Sequence, residues 1–159
     1  MISAYIGLGS NLDHPERQLL QALEELDGIS ETRLHCASSL YTSVPMGPQD
    51  QPDYLNAVAE IRTGLAPLVL LDELQRIEDQ HGRIRGQRWG ARTLDLDLLL
   101  YGDQIIREQR LTVPHPGIAL RAFVLKPLEE IAPGLLVPKL GVIKELSAAC
   151  TDQQVRPIK

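Results

Sequence analysis

Aromatic residues are scarce in this chain, 4% in all with one Trp and one Phe, so a flat ligand must be met by very few rings. Cys36 and Cys150 are the only cysteines, too few for a disulfide framework, and with no export signal ahead of them they are expected as separate thiols. No apolar run approaches the roughly 20 residues that span a bilayer, and MISAYIGLGSNL lacks the basic and long apolar regions of a secretory leader. A cytoplasmic protein without a membrane partner is expected. Positive charge is in deficit, 16 Lys+Arg against 21 Asp+Glu for a net −5, which speaks against a general grip on nucleic acid. There is no G-x-x-x-x-G-K-[ST], and Gly7-Leu8-Gly9 is too short a match for a dinucleotide fingerprint, so any phosphate must be held by side chains.

The 159 residues suit one well-buried core, and a single domain over 1–159 is expected. SAYIGLGS reads as a buried strand ending in a turn. Pro15 opens an amphipathic helix with Leu19, Leu20, Leu23 and Leu26 on its apolar face, closing near Gly28. TRLHCASSLYTS and YLNAVAEIRT read as two strands joined by a loop rich in Pro, Gly, Gln and Asp. Residues 66 to 82 form a second helix on Leu70, Leu71, Leu74 and Ile77, and RIRGQRWGAR leads into a last strand, RTLDLDLLLYG. This order predicts an α+β fold, a ferredoxin-like α/β sandwich with a βαββαβ core and an antiparallel sheet. Helices on one face would leave the other free to bind, and RAFVLKPLEEIA and IKELSAAC add C-terminal helices.

The last strand carries the first chemical signal. Asp95 and Asp97 lie two apart among leucines; on a helix they would point apart, but on a strand they share a face opposite the leucines. Buried and unpaired they would cost several kcal/mol, so something cationic is expected opposite them. Asp-x-Asp on a strand suits Mg²⁺, which prefers carboxylate oxygens and completes its shell with water and substrate phosphates; pairing with arginines is the bland alternative. Arg83, Arg85, Arg88 and Arg92 precede the strand, interrupted by Gly86 and Gly90. Such a loop is either a solvated charged segment or a lid whose guanidinium forks close over phosphate. Metal-binding acids beside phosphate-binding arginines are what phosphoryl transfer requires. His115, between Pro114 and Pro116, and Arg121 are further phosphate candidates. Tyr54, Asn56, Trp89 and Phe123 form the set that a flat heterocycle would need, with aromatic faces and an amide to read its edge.

GLGSNL, GPQDQPDYLNAV, RIEDQHGR, RWGARTLDLDLLLYG and LTVPHPGIALRAFVLKPLEEIAP, in this order up to about residue 133, together resemble the 6-hydroxymethyl-7,8-dihydropterin pyrophosphokinase family of folate biosynthesis. The resemblance implies a monomer that uses ATP and a reduced pterin, without nucleic acid, and transfers pyrophosphate to the pterin hydroxymethyl group with release of AMP. It implies two Mg²⁺ ions with ATP on Asp95 and Asp97, and a catalytic set of Arg83, Arg92, Asp97 and His115. Ser43, Val44, Met46, Tyr54, Asn56, Trp89, Phe123 and Asp95 would bind the pterin. Gln75, Glu78, Arg83, Arg85, Arg92, Leu98, Arg110, Thr112, His115 and Arg121 would bind ATP. The chain departs from the family pattern in a lid loop one residue shorter, with no lysine after Arg85, and in Ser43-Val44 where Thr-Pro is frequent.

Two other classes share parts of this pattern. A metal-dependent nucleotidyl- or glycosyltransferase also uses Asp-x-Asp, but no sugar or polynucleotide site is evident. A ferredoxin-like RNA-binding module stacks bases on sheet aromatics, but paired acids and net negative charge oppose RNA. On the pyrophosphokinase reading, Arg92→Ala should lower kcat more than it raises the KM for ATP, with a loss on the order of 10²-fold or more, as for other donors aimed at transition-state charge. Steady-state kinetics showing the reverse pattern would make Arg92 a binding residue only.

Overall fold

Alternating apolar positions become a sheet whose two faces are covered differently. The computed structural model describes residues 1–43, 53–82, 93–151, 153 and 155–158. The chain runs β1 (Ile2–Ser10), α1 (Pro15–Asp27), β2 (Thr32–Ala37), β3 (Tyr41–Ser43), β4 (Tyr54–Thr63), α2 (Pro67–Gln80) and β5 (Asp95–Tyr101). Short ribbons β6 (Ile106–Arg107) and β7 (Thr112–Val113) precede α3 (Ala122–Ile131). The tail holds β8 (Leu136–Val137), β9 (Gly141–Val142), α4 (Ile143–Ala149) and β10 (Val155–Pro157). The main sheet is antiparallel in the order β10, β3, β4, β1, β5, with β2 on the same side of β4 as β3. This is the expected βαββαβ core, its second strand broken at Ser38–Leu40. Ser38 carries the ladder across the break, its N–H donating to the Val58 carbonyl and its hydroxyl accepting from the Val58 N–H. Among the described residues no helix is long and apolar enough to cross a membrane.

α1 begins at Pro15, where a missing N–H costs nothing, and α2 likewise at Pro67. Leu19, Ala22 and Leu26 of α1 and Leu70, Leu74 and Ile77 of α2 are buried against Ala4, Ile6, Leu8, Ala57, Ala59, Ile61, Leu96 and Leu98 of the sheet. Leu20 does not join them and is 51% exposed, because one residue on from Leu19 is about 100° around the helix, off the buried stripe.

Two expectations are corrected. The second face of the sheet is not left free: α3, α4 and the tail cover part of it, and Tyr5, Val58, Leu99 and Leu100 join Ile118, Val124, Leu125, Leu128 and Ile143 in a second core. Nor do all the β5 leucines face the first core. Tyr5 pairs with Leu100 and Ile6 with Leu98, which leaves Leu99 as the extra residue of a β-bulge. Leu94, Leu96 and Leu98 enter the first core, while Leu99 and Leu100 enter the second. A bulge breaks the two-residue alternation, which pattern reading assumes to be uninterrupted.

α3 is fastened to the sheet through Glu130. Its carboxylate accepts from the Tyr41 hydroxyl at 2.6 Å and from the Ser39 N–H and hydroxyl at 2.9 and 3.1 Å. Burial and this carboxylate together raise the Tyr41 pKa. Glu130→Ala strips all three donors of their acceptor and should cost about 1–3 kcal/mol, with Tyr41→Phe costing less because the Ser39 bonds remain. Urea denaturation of the two variants checks the ranking; an unshifted Glu130→Ala midpoint would show that the clamp carries no stability.

Candidate active site

Residues opposite each other in an antiparallel sheet share a face, so the register builds the site directly. Asp95 lies opposite Gly9, and Gly9 on its other side lies opposite Asn56, which in turn faces Tyr41. The next row on this face is Asp97, Gly7 and Val58. Two carboxylates on β5 and an amide on β4 are thus separated by a central strand that presents only glycines between them. A Cβ on Gly9 would lie 3.4 Å from Asn56 Oδ1 and 3.8 Å from the Tyr54 ring, and one on Gly7 would meet Leu99 at 3.5 Å. The Gly-x-Gly that is too short for a dinucleotide fingerprint therefore has a use of its own: Gly9 leaves room for the Asn56 amide oxygen to lean toward the acids, and Gly7 leaves room for the Leu99 side chain. Only the assembled register reveals it.

Asn56 is buried, and its Nδ2 donates to the Ser43 hydroxyl at 2.6 Å, which leaves Oδ1 over Gly9 as an acceptor. Tyr54 begins the same strand, two residues before Asn56 and therefore on the same face. Asp95 and Asp97 are half-buried at the open end of β5.

β5 lies at one end of the sheet order, so its outer backbone groups need partners from elsewhere. Glu78, buried in α2, accepts the Leu96 N–H on Oε2 at 2.7 Å, pinning the residue between the two acids. The Leu99 carbonyl accepts the His115 N–H at 3.0 Å, so the bulged residue also positions the histidine. His115 Nδ1 accepts the Gly117 N–H at 3.1 Å. A backbone N–H can only donate, so in the neutral ring the proton sits on Nε2. Burial first, and then the Arg121 guanidinium, push the His115 pKa down from 6.5 to about 4, with Asp95 pulling the other way. Arg121 packs flat on Gly117, where a Cβ would lie 2.6 Å from its Nε, and its guanidinium sits 5.7 Å from the Phe123 ring centre. Asp95, His115, Arg121 and Phe123 thus belong to one neighbourhood, from three separate stretches of chain.

The other sequence candidates are placed as follows. Arg110 donates to Asp72 at 2.5 Å and to Gln75 at 3.3 Å on α2, a solvent-facing cluster; Thr112 on β7 is exposed. The Leu98 side chain is buried in the first core, on the face away from the acids, so only its backbone is available to a ligand. Glu78 touches the acid strand through its backbone. Val44, Met46, Arg83, Arg85, Arg88, Trp89 and Arg92 lie outside the described residues.

Residues 5–133 match the family model of 7,8-dihydro-6-hydroxymethylpterin-pyrophosphokinase. The chain is 56% identical over 155 residues to the 2-amino-4-hydroxy-6-hydroxymethyldihydropteridine pyrophosphokinase of Haemophilus influenzae, covering 98% of this chain and 97% of that one. It is 52% identical to the protein of the same name from Pseudomonas aeruginosa, covering 92% and 90%. In fold it resembles the crystal structure of Plasmodium falciparum HPPK-DHPS, with a TM-score of 0.73 at 15% identity over 94% of this chain; it spans only 43% of that longer chain.

The His115 environment sets a pH dependence in the ligand-free protein. Its folded pKa of about 4 lies below the ordinary 6.5, so at intermediate pH the unfolded chain binds the proton that the folded ring refuses. The stability tied to the neutral ring is therefore complete above about 6.5 and is withdrawn as pH falls toward 4. Across that window the urea midpoint should fall more steeply in wild type than in His115→Asn, and equal slopes would show that the ring does not resist protonation.

Proposed function

The chain belongs to the 7,8-dihydro-6-hydroxymethylpterin-pyrophosphokinase family, and we propose that it works on the face formed by Asp95 and Asp97, Gly7 and Gly9, and Asn56. It is an ATP-dependent diphosphokinase of folate synthesis that transfers pyrophosphate to the hydroxymethyldihydropterin. Removing a pyrophosphoryl group from ATP leaves AMP. The observation that carries the placement is the row Asp95, Gly9, Asn56, which brings phosphate chemistry and heterocycle recognition within reach of one bound pair of substrates.

Asn56 reads the pterin. Its Oδ1 over Gly9 accepts from an amino-pyrimidine edge, while the Ser43 hydroxyl holds the amide in that orientation. Tyr54 and Phe123 supply ring surface, and Val44, Met46 and Trp89 complete this pocket on the sequence pattern alone. On the phosphate side, His115 offers Nε2–H as a neutral donor and Arg121 a charged fork, both held before substrate arrives. A neutral imidazole suits a site already crowded with cations. Arg83 and Arg92 are assigned to the transferred phosphates and their charge in the transition state, and Arg85 to ATP. Arg110, Gln75 and Thr112 serve the nucleotide from the α2–β7 side, Leu98 serves it through its backbone, and Glu78 acts by holding the acid strand.

Kinases of this family act with ATP and a divalent metal. The donor set here fits Mg²⁺: two half-buried carboxylates on one face, the oxygen ligands this ion prefers, opposite two glycines that bring no side chain of their own. Asp95 and Asp97 would hold two such ions. When bound, they would neutralise the triphosphate charge that otherwise repels an incoming hydroxyl. The residues of the chain supply the remainder, which is in-line positioning of two substrates and exclusion of water. Neither Cys36 nor Cys150 forms a disulfide, which fits a reducing compartment and hence the cytoplasm. The protein is assigned as a monomer.

Asp97→Ala should reduce kcat at saturating Mg²⁺ on the order of 10²-fold or more while the fold persists, since the loss eases repulsion with Asp95. Asn56→Ala should chiefly raise the KM for the pterin. Chromatographic detection of AMP formation in both variants checks the division, and wild-type turnover by Asp97→Ala would remove the metal assignment.

A further inference from the structure

A second bulge, on β2 with β4 and β1 between it and the acid strand, brings together groups that have no part in the chemistry above. On β2, Leu34 pairs with Ile61 and Cys36 with Glu60, which leaves His35 as the extra residue. In an unbroken strand His35 and Cys36 would point to opposite faces. Here a ring nitrogen of His35, Cys36 Sγ and a carboxylate oxygen of Glu60 all lie within 4.8 Å of one another. The bulge has re-aimed one side chain so that three different metal-ligating groups converge.

Their surroundings favour a cation. Cys36 Sγ lies 3.8 Å from Glu60 Oε1, and Glu60 is almost wholly buried. The Tyr5 phenol, opposite Glu60 across the β1–β4 ladder, hydrogen-bonds to that carboxylate. The cation now present is Arg62, and it fits poorly. One terminal nitrogen lies 3.2 Å from His35 Nε2, while Nε is 3.9 Å from Glu60 Oε2, fully covered and without a hydrogen bond. Arg62 is a long, 37% exposed side chain that can swing into solvent.

We infer that His35, Cys36 and Glu60 form a site for a divalent transition metal of the zinc class, separate from the Asp95 and Asp97 pair and clipping β2 to β4. Imidazole nitrogen, thiolate sulfur and one carboxylate oxygen with a fourth position for water make a four-coordinate set suited to Zn²⁺ or Co²⁺ and unsuited to Mg²⁺. On binding, the metal–sulfur bond forms as the S–H bond breaks, the proton passes to solvent, and Arg62 is displaced. Tyr5 then orients the ligating carboxylate from behind, as outer partners of metal sites commonly do. Glu60 is four residues along β4 from Asn56, about 13 Å of strand, so the clip is remote from the pterin side chain.

The full chain is titrated with Co²⁺ and then Zn²⁺ in excess Mg²⁺, which keeps the oxygen ligands of Asp95 and Asp97 occupied. One equivalent of Co²⁺ should raise a near-ultraviolet thiolate-to-metal charge-transfer band that Zn²⁺ abolishes, and Zn²⁺ should raise the melting temperature. Cys36→Ser should lose the band and the thermal shift yet keep wild-type turnover, and His35→Ala should weaken Zn²⁺ binding roughly 10-fold or more. Circular dichroism of each variant confirms that it is folded. A wild-type protein with no band, or a band that survives Cys36→Ser, overturns the site.

Discussion

Two carboxylates on one strand, about 7 Å apart, repel each other by about 2 kcal/mol at the effective dielectric of a protein surface. Much of the architecture near β5 can be understood as holding that pair in place. β5 is an end strand, so it could shift or fray at its outer side, and the acids would move with it. The buried Glu78 takes the N–H between them, the His115 backbone ties to Leu99, and Leu96 and Leu98 are locked into the first core. Each restraint comes from a different stretch of chain. The acids are thus held side by side by the fold, and a cation bound there would be favoured by relief of repulsion as well as by new bonds.

The two cores divide the labour. The first, under α1 and α2, buries one face of the sheet, and Glu78 at its edge holds β5. The second, under α3 and α4, covers only part of the opposite face, and its margin is where Phe123, Arg121 and His115 emerge. Covering that face completely would bury both carboxylates, a cost in desolvation. Leaving it bare would expose the second core to solvent. The Glu130 clamp on Ser39 and Tyr41 sets where α3 lies on the sheet, and so sets the margin.

Bulges do comparable work at both ends of the sheet. At Leu99 the extra residue sends a leucine over Gly7 and a carbonyl to His115. At His35 it turns an imidazole toward a thiol and a carboxylate. In each case an interruption of regular pairing gathers side chains that a regular strand would separate, which is why both escape a reading based on alternation.

Local chemistry is what the sequence by itself determined. Pro15 and Pro67 start helices because Pro is tolerated there, the spacing of Leu70, Leu74 and Ile77 makes one buried face, and Asp95 and Asp97 share a side because strand period is two. The family motifs, being contiguous runs, were legible for the same reason. Tertiary structure decided what depends on register and on distant partners: that Gly7 and Gly9 lie between acids and amide, that Glu78 is a buried anchor for β5, that Leu99 and Leu100 belong to a second core, and that His115 is neutral. A register is set by the whole sheet packing at once, and a pKa by groups brought near through folding. Neither quantity is a property of any short stretch, so neither can be read from one.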